Sequence, residues 1–435
     1  MHIFTPMNRT FLTPFATLLV LSVLSLASCS RAEQPGTEPQ QQEELQPEQE
    51  PELPAACITE TIRFDAVKLT AYNITYPSTD PYGKPATLSG TIVVGDDMTQ
   101  TKPARGIMLY NHFTVNRADQ CPSRGDLTVQ KLLAGGGLIV VSADYYGFGI
   151  TEDKPQAYCV ASANAKASLD ALLAAQTLLK DRGYAWADIL FNAGYSQGAQ
   201  TTVGVLKLAS EQYPDIHFTH SFAGGGPYDI SETARQLLKA GETNLPSTII
   251  NVLLAYNDVF NLGIAPDAMF QEPVLSHLDE WFFSKAYTLE EINDMIGTKS
   301  IPDLVTPELR DLEGDLAQRF QSAMEQENLC KGWTPNPHEQ ISIIHAALDD
   351  TVPVASAANL VQFFEDKGLP IVEELGQEGV YVDISTTGGL SEVVSSHYLG
   401  ALPFVTDTVT QMSLLLGVDN WIDTSMLSDL FSSND

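Results

Sequence analysis

The stretch Asp188-Ile-Leu-Phe-Asn-Ala-Gly194-Tyr-Ser196-Gln-Gly198-Ala-Gln-Thr-Thr202 limits what this chain can fold into more than any other. An apolar run, Ile189 to Ala193, meets a Gly-x-Ser-x-Gly turn that passes at once into small residues, Val, Leu and Lys suited to a helix. A serine at the tip of a sharp strand-to-helix turn leaves no space for side chains two residues before and after it, and glycine meets that need. Such a turn pushes the hydroxyl outward and aims the first N–H groups of the new helix at whatever the hydroxyl attacks. Ser196 is therefore the candidate nucleophile, on a strand that runs directly into a helix.

The flanking sequence keeps the same rhythm. Gly106 to Asn111 and Gly137 to Asp144 are near-continuous apolar runs of the kind buried on both faces in a parallel sheet. Ile62 to Ile74 and Ala86 to Val94 alternate like strands, with Pro77 to Pro85 as the turn between them. Ala163 to Lys180 carries a helical stripe of Leu169, Leu172, Leu173, Leu178 and Leu179. Strands are expected again at His217 to Ala223, Gln340 to Ala346 and Gly379 to Ile384, with helices at Ala355 to Lys367 and after His397. Alternating strands and helices predict an α/β fold with a mostly parallel central sheet flanked by helices.

Residues 227–339 interrupt this pattern. Helical segments follow one another without a strand: Ser231 to Ala240, Pro246 to Tyr256, Asp267 to Lys285, Thr288 to Ile296 and a run from Thr306 to Glu325. Thr288 and Glu291 have the spacing of a capping box. This is an expected helical cap inserted into the sheet, whose Phe260, Met269, Phe270, Trp281, Phe282 and Phe283 are more suited to packing a core of their own than to touching substrate.

The N-terminus has a different character. Arg9 precedes an apolar run, Phe15 to Ser28, too short to span a bilayer but suited to a signal peptide. It ends in Leu26-Ala27-Ser28-Cys29, which resembles a bacterial lipoprotein box with Cys29 as the lipidated residue. Residues 29–55, rich in Glu, Gln and Pro, read as a disordered tether, and residues 56–435 as the globular domain. The expected location is the bacterial cell envelope, on the periplasmic or surface face of the outer membrane. No second signal or membrane-spanning segment is expected. A formal charge of −32 argues against a nucleic-acid partner, because phosphates would be repelled. Cys57, Cys121, Cys159 and Cys330 remain after Cys29, an even number in a compartment that permits disulfides. Cys121 with Cys159 is the expected pair, because loops after the third and fourth strands would be neighbours. Neither C-x-x-C nor His-rich spacing supports a metal site.

A serine hydroxyl attacks poorly until an imidazole takes its proton, and that imidazole needs a carboxylate behind it. After the insertion, His345-Ala-Ala-Leu-Asp349-Asp350-Thr-Val-Pro353 follows an apolar strand, so Asp349 or Asp350 would leave that strand's carboxyl end. His397 is the one histidine beyond them. An oxyanion needs two N–H donors. Gln197, directly after the nucleophile, should provide one; Phe113 or Thr114, in the loop after the Gly106 to Asn111 strand, should provide the other, with His112 shaping that loop.

Taken together, Tyr76-Pro-Ser-Thr-Asp-x-x-Gly83-x-Pro85…Ser89-Gly-Thr91, Asp144-Tyr-Tyr-Gly-Phe-Gly149, Gly194-Tyr-Ser-Gln-Gly198, Asp349-x-x-Val-Pro353 and His397 resemble the secretory lipase branch of the α/β-hydrolases. The resemblance spans roughly Phe64 to Gly417 and is weakest in the cap. It implies a serine esterase or lipase without a cofactor, acting on a small-molecule ester, with Ser196, Asp349 and His397 as the triad. Two positions depart from the pattern: Ala199-Gln200 replace a small residue and His, and Phe113 stands where the branch carries glycine. A bulky Phe113 is expected to narrow the acyl pocket. The same triad would also serve a serine peptidase or an acetyl or feruloyl esterase of carbohydrates, and the fold alone would suit a non-catalytic binding lipoprotein.

Overall fold

Among the described residues, ten strands build the sheet: β1 (Cys57–Phe64), β2 (Leu69–Thr79), β3 (Pro85–Gly95), β4 (Ile107–Asn111), β5 (Ile139–Ala143), β6 (Leu190–Tyr195), β7 (His220–Gly224), β8 (Ile341–Ala346), β9 (Ile371–Val372) and β10 (Val380–Ser385). Their order across the sheet is β1-β2-β3-β5-β4-β6-β7-β8-β10-β9. The β1-β2-β3 meander and its junction with β5 are antiparallel, and every pairing beyond β5 is parallel. The computed structural model describes residues 55–385 and 396–418. The chain divides into units of residues 1–51 and 52–435, and all described residues belong to the second. The signal segment, Cys29 and nearly all of the tether lie outside them.

The strands form where the sequence puts uninterrupted apolar runs. Every residue of β4, β5, β7 and β8 is buried, because helices cover both faces. The helices of the body include α1 (Thr128–Gly135), α2 (Ala161–Asp181) and α3 (Gln197–Gln212). The two faces of the sheet carry separate hydrophobic clusters, one with Ile107, Leu109, Val141 and Val203, the other with Met108, Val140, Phe191 and Phe222. Adjacent residues on one strand thus serve opposite cores.

The insertion is helical and has a core of its own. It begins with α4 (Ile230–Ala240) and α5 (Pro246–Val259) and continues through Leu289–Ile296 and Asp315–Met324. Met269, Phe270, Trp281 and Phe282 are buried together with Ile249, Leu253 and Phe320, while Phe283 is exposed. The Thr288 capping box forms as expected, with each partner's side chain on the other's backbone N–H. Lys285 ties the insertion to the body: its buried ammonium donates to the carbonyls of Gly147, Glu152 and Lys154.

Several expected elements are divided differently. The Ile62 to Ile74 strand is two strands, broken at residues 65–68, where Lys68 takes φ 54°. The expected Asp267 to Lys285 helix is three pieces, Pro266–Met269, Val274–Leu278 and a wide-turned Asp279–Phe283; Pro273, which cannot continue an α-helix, separates the first from the second. The Thr306 run stops at Arg310 and restarts at Asp315 after a turn closed by Gly314 N–H on the Asp311 carbonyl. Cys121 and Cys159 are not joined; Cys57, Cys121, Cys159 and Cys330 are all free thiols. The reason lies in packing: Cys121 is buried with Val115 and Phe148, whereas Cys159 belongs to the core of the insertion. Residues 396–416 are long and apolar enough to cross a bilayer by length and composition. Here they fold as Ser396–Leu399 and Ala401–Leu416, with Phe404 and Met412 buried in the sheet-side cluster.

Candidate active site

Ser196 sits between β6 and α3 at φ 58°, ψ −121°, a conformation that a non-glycine residue keeps only when its surroundings force it. Those surroundings are two glycines with no space for a side chain. A Cβ on Gly194 would overlap the backbone of Gly198, and one on Gly198 would overlap the carbonyl oxygen of Asn111. The spacing read in the sequence thus reflects three backbones meeting at one point.

β8 and the last helices supply the partners. His397 Nε2 lies 2.8 Å from Ser196 Oγ, and His397 Nδ1 lies 2.6 Å from Asp349 Oδ2. The other carboxylate oxygen of Asp349 accepts the N–H groups of Thr351 and Val352. Burial by itself would raise the Asp349 carboxyl, but the neighbouring His397 and His345 rings and the Val352 N–H outweigh it and hold the group below its ordinary value. Asp350 follows Asp349 but plays another part: its N–H donates to Ser396 Oγ and its carbonyl accepts from Thr243. His345 is buried at the end of β8, with Nε2 on the Val352 carbonyl at 2.8 Å and 3.6 Å from Asp349 Oδ2.

The three side chains come together because their strands are neighbours. Ser196 leaves β6 and Asp349 leaves β8, with only β7 between them, and the chain after β10 returns with His397. The ring is then clamped by two contacts that the motif spacing did not announce. Tyr195, the variable residue of the Gly-x-Ser-x-Gly turn, donates its hydroxyl to the His397 carbonyl at 2.6 Å. Its ring stands 5.3 Å from the imidazole and 5.4 Å from Phe404, and burial pushes the phenol far up, so it stays a donor. Ser396 Oγ donates to the Leu348 carbonyl, tying the histidine segment to the loop that carries Asp349. A signal for Tyr195 existed in its place beside the serine, but its target could not be named without the fold.

The expected oxyanion donors stand at the same rim. Gln197 opens α3, and first-turn N–H groups have no acceptor within their own helix. β4 pairs with β6 in register Asn111 to Gly194, so the loop after Asn111 continues alongside Ser196. His112 holds that loop, with Nδ1 2.7 Å from the Phe113 carbonyl, Nε2 3.2 Å from the Asp144 carbonyl and its ring stacked on Tyr145 at 4.0 Å. Thr114 Oγ1 meets the Tyr158 hydroxyl at 2.9 Å. Phe113 is 49% exposed and does not line the small cavity that touches Ser196. Among the described residues, no group of three or more His, Cys, Asp or Glu is placed to hold a metal ion.

Known proteins match at the level of family and fold. A family model of secretory lipases matches residues 123–388. Among solved structures, the rice cell wall degrading esterase LipA from Xanthomonas oryzae aligns with a TM-score of 0.68 at 20% identity, over 83% of this chain and 98% of its own. Candida antarctica lipase A aligns with a TM-score of 0.56 at 17% identity, over 75% of each chain. No curated protein matches the sequence. The family points to an exported protein. With a sheet of this topology and a family match across most of its folded part, the chain belongs to the secretory lipases, an α/β-hydrolase that cleaves carboxylic esters.

Proposed function

We propose that Ser196, His397 and Asp349 carry out the ester hydrolysis through an acyl-enzyme. The supporting observation is the unbroken relay from Ser196 Oγ to His397 Nε2 and from His397 Nδ1 to Asp349. In this reading His397 Nε2 takes the proton as Ser196 Oγ attacks the ester carbonyl. The N–H of Gln197 and that of Phe113 or Thr114 receive the negative charge on the carbonyl oxygen. Asp349 holds the Nδ1 proton, which fixes the tautomer and balances the imidazolium. His397 returns the proton to the departing alcohol, and a water activated by the same nitrogen releases the acid from Ser196. Ser196→Ala should lower turnover of short p-nitrophenyl esters by about 10⁴-fold or more with the thermal transition unchanged. Undiminished turnover in the folded variant sinks the assignment.

The N-terminal reading is part of the same proposal: cleavage before Cys29, lipid on its thiol, and residues 29–55 as a tether to the envelope membrane, supported by Leu26-Ala-Ser-Cys29. Cys29→Ser should move the protein from the detergent phase to the aqueous phase on extraction of cells; retention in the detergent phase counts against lipidation. A carbohydrate esterase is the second reading, favoured by the likeness to LipA, and a comparison of acetylated glycans with simple esters separates the two.

A further inference from the structure

The cavity at Ser196 is small, and the insertion supplies about half of its lining, with Tyr158, Cys159, Thr351 and Val352 of the body completing it. Ser196 and Gln197 open onto a space of about 30 Å³, bounded by Ile230, Ala234 and Leu237 of α4, Ile249 and Val252 of α5, and Val352 after β8. A cavity needs roughly 10–15 Å³ to admit one water, so this space suits a short alkyl end and not a long chain. A much larger cavity of about 420 Å³ lies between the insertion and residues 153–156 and shares no lining residue with it.

The walls are poorly placed to move aside. All five insertion residues are at most 6% exposed and sit in the insertion's own hydrophobic cluster, so displacing them opens that core. α4 is fixed at its start, where Asp229 accepts the N–H of Glu232 and the side-chain amides of Asn328 and Asn359. The link between α4 and α5 is pinned to the acid loop, because the Thr243 hydroxyl donates to the Asp350 carbonyl.

From this we infer that the enzyme is selective for short acyl groups, of about two to four carbons, whose alkyl end fills the space between α4 and α5. The inference rests on the Ser196 acyl-enzyme proposed above. With the carbonyl carbon on Ser196 Oγ and its oxygen at the Gln197 N–H, the acyl chain enters the apolar space, and the alcohol leaves toward solvent. Leu237 and Ala234 set the depth, and the first carbons beyond it meet side chains that have no free direction.

The test is the ratio of kcat/KM across p-nitrophenyl acetate, butyrate, octanoate and palmitate with the full folded domain. Octanoate should fall at least about tenfold below butyrate, since one methylene in a fitted pocket changes kcat/KM by roughly 10–200-fold. Leu237→Ala should raise the octanoate-to-butyrate ratio about tenfold, and Ala234→Leu should lower the butyrate-to-acetate ratio by a similar factor. The filling variant keeps the test open if the truncated one does not fold. A flat or rising profile toward octanoate in the parent, or ratios unmoved in both folded variants, overturns the short-acyl inference alone. Failure to cleave any of the four esters, with no labelling of Ser196 by a fluorophosphonate, overturns the acyl-enzyme reading and this inference with it.

Discussion

The rim of the sheet and the inserted helices obey different physical rules. At the rim, single atoms decide: the Asn111 carbonyl leaves no space beyond Gly198, and one phenol oxygen meets the His397 carbonyl. In the insertion, many side chains share the work, and Phe270, Trp281 and Ile249 are held by summed burial. A change at the rim should therefore reach the chemistry and spare the fold, whereas a change in the insertion's core away from the space at Ser196 should do the reverse.

That contrast can be broken most directly at Asp349. Asp349→Asn keeps the shape but removes the charge behind the imidazole, and turnover should fall by about 10⁴-fold while stability changes little. A loss below tenfold would place the acid elsewhere and erase the distinction. The matching change in the insertion is Phe270→Ala, which removes a ring that is 1% exposed. It should lower unfolding free energy by about 3–5 kcal/mol and leave turnover per folded molecule within about threefold, measured by denaturant titration beside initial rates. A large drop in rate without a drop in stability would show that the insertion shapes the chemistry through more than its bulk.

A finer cut is available at Tyr195. Tyr195→Phe keeps the ring between His397 and Phe404 but deletes the hydrogen bond to the His397 carbonyl. The loss should appear in kcat rather than KM, at about three- to tenfold, equivalent to roughly 1 kcal/mol for one hydrogen bond. An effect confined to KM would mean that the phenol serves the substrate and not the base.

The same contrast governs what could be read without coordinates. The turn around Ser196 was legible because glycine spacing encodes backbone approach, and β4, β5 and β8 were legible because burial on both faces demands continuous apolar runs. Chain order pointed to His397 and to Asp349 or Asp350, the spacing to Val352-Pro353 favoured Asp349, and His397 lies 2.6 Å from Asp349 and 2.8 Å from Ser196. The insertion was legible as helical but not in its breaks. Pro273 and Gly314 act only once the chain direction around them is known. The thiols of Cys121 and Cys159 misled for a related reason: loops from adjacent strands can diverge into separate cores. The direction of Phe113 was not legible at all, because a residue's size says nothing of which way it faces.

Ser196 and His397, the proposed nucleophile and proton acceptor, lie 201 positions apart in the chain, with the whole insertion between them. A polypeptide threading out of a cell from its N-terminus would deliver the elbow near its midpoint and the imidazole close to its end. Until the final helices dock, the exposed hydroxyl is as sluggish as any alcohol in water. In the proposed mechanism, reactivity would therefore wait on the docking of the last helices against the sheet.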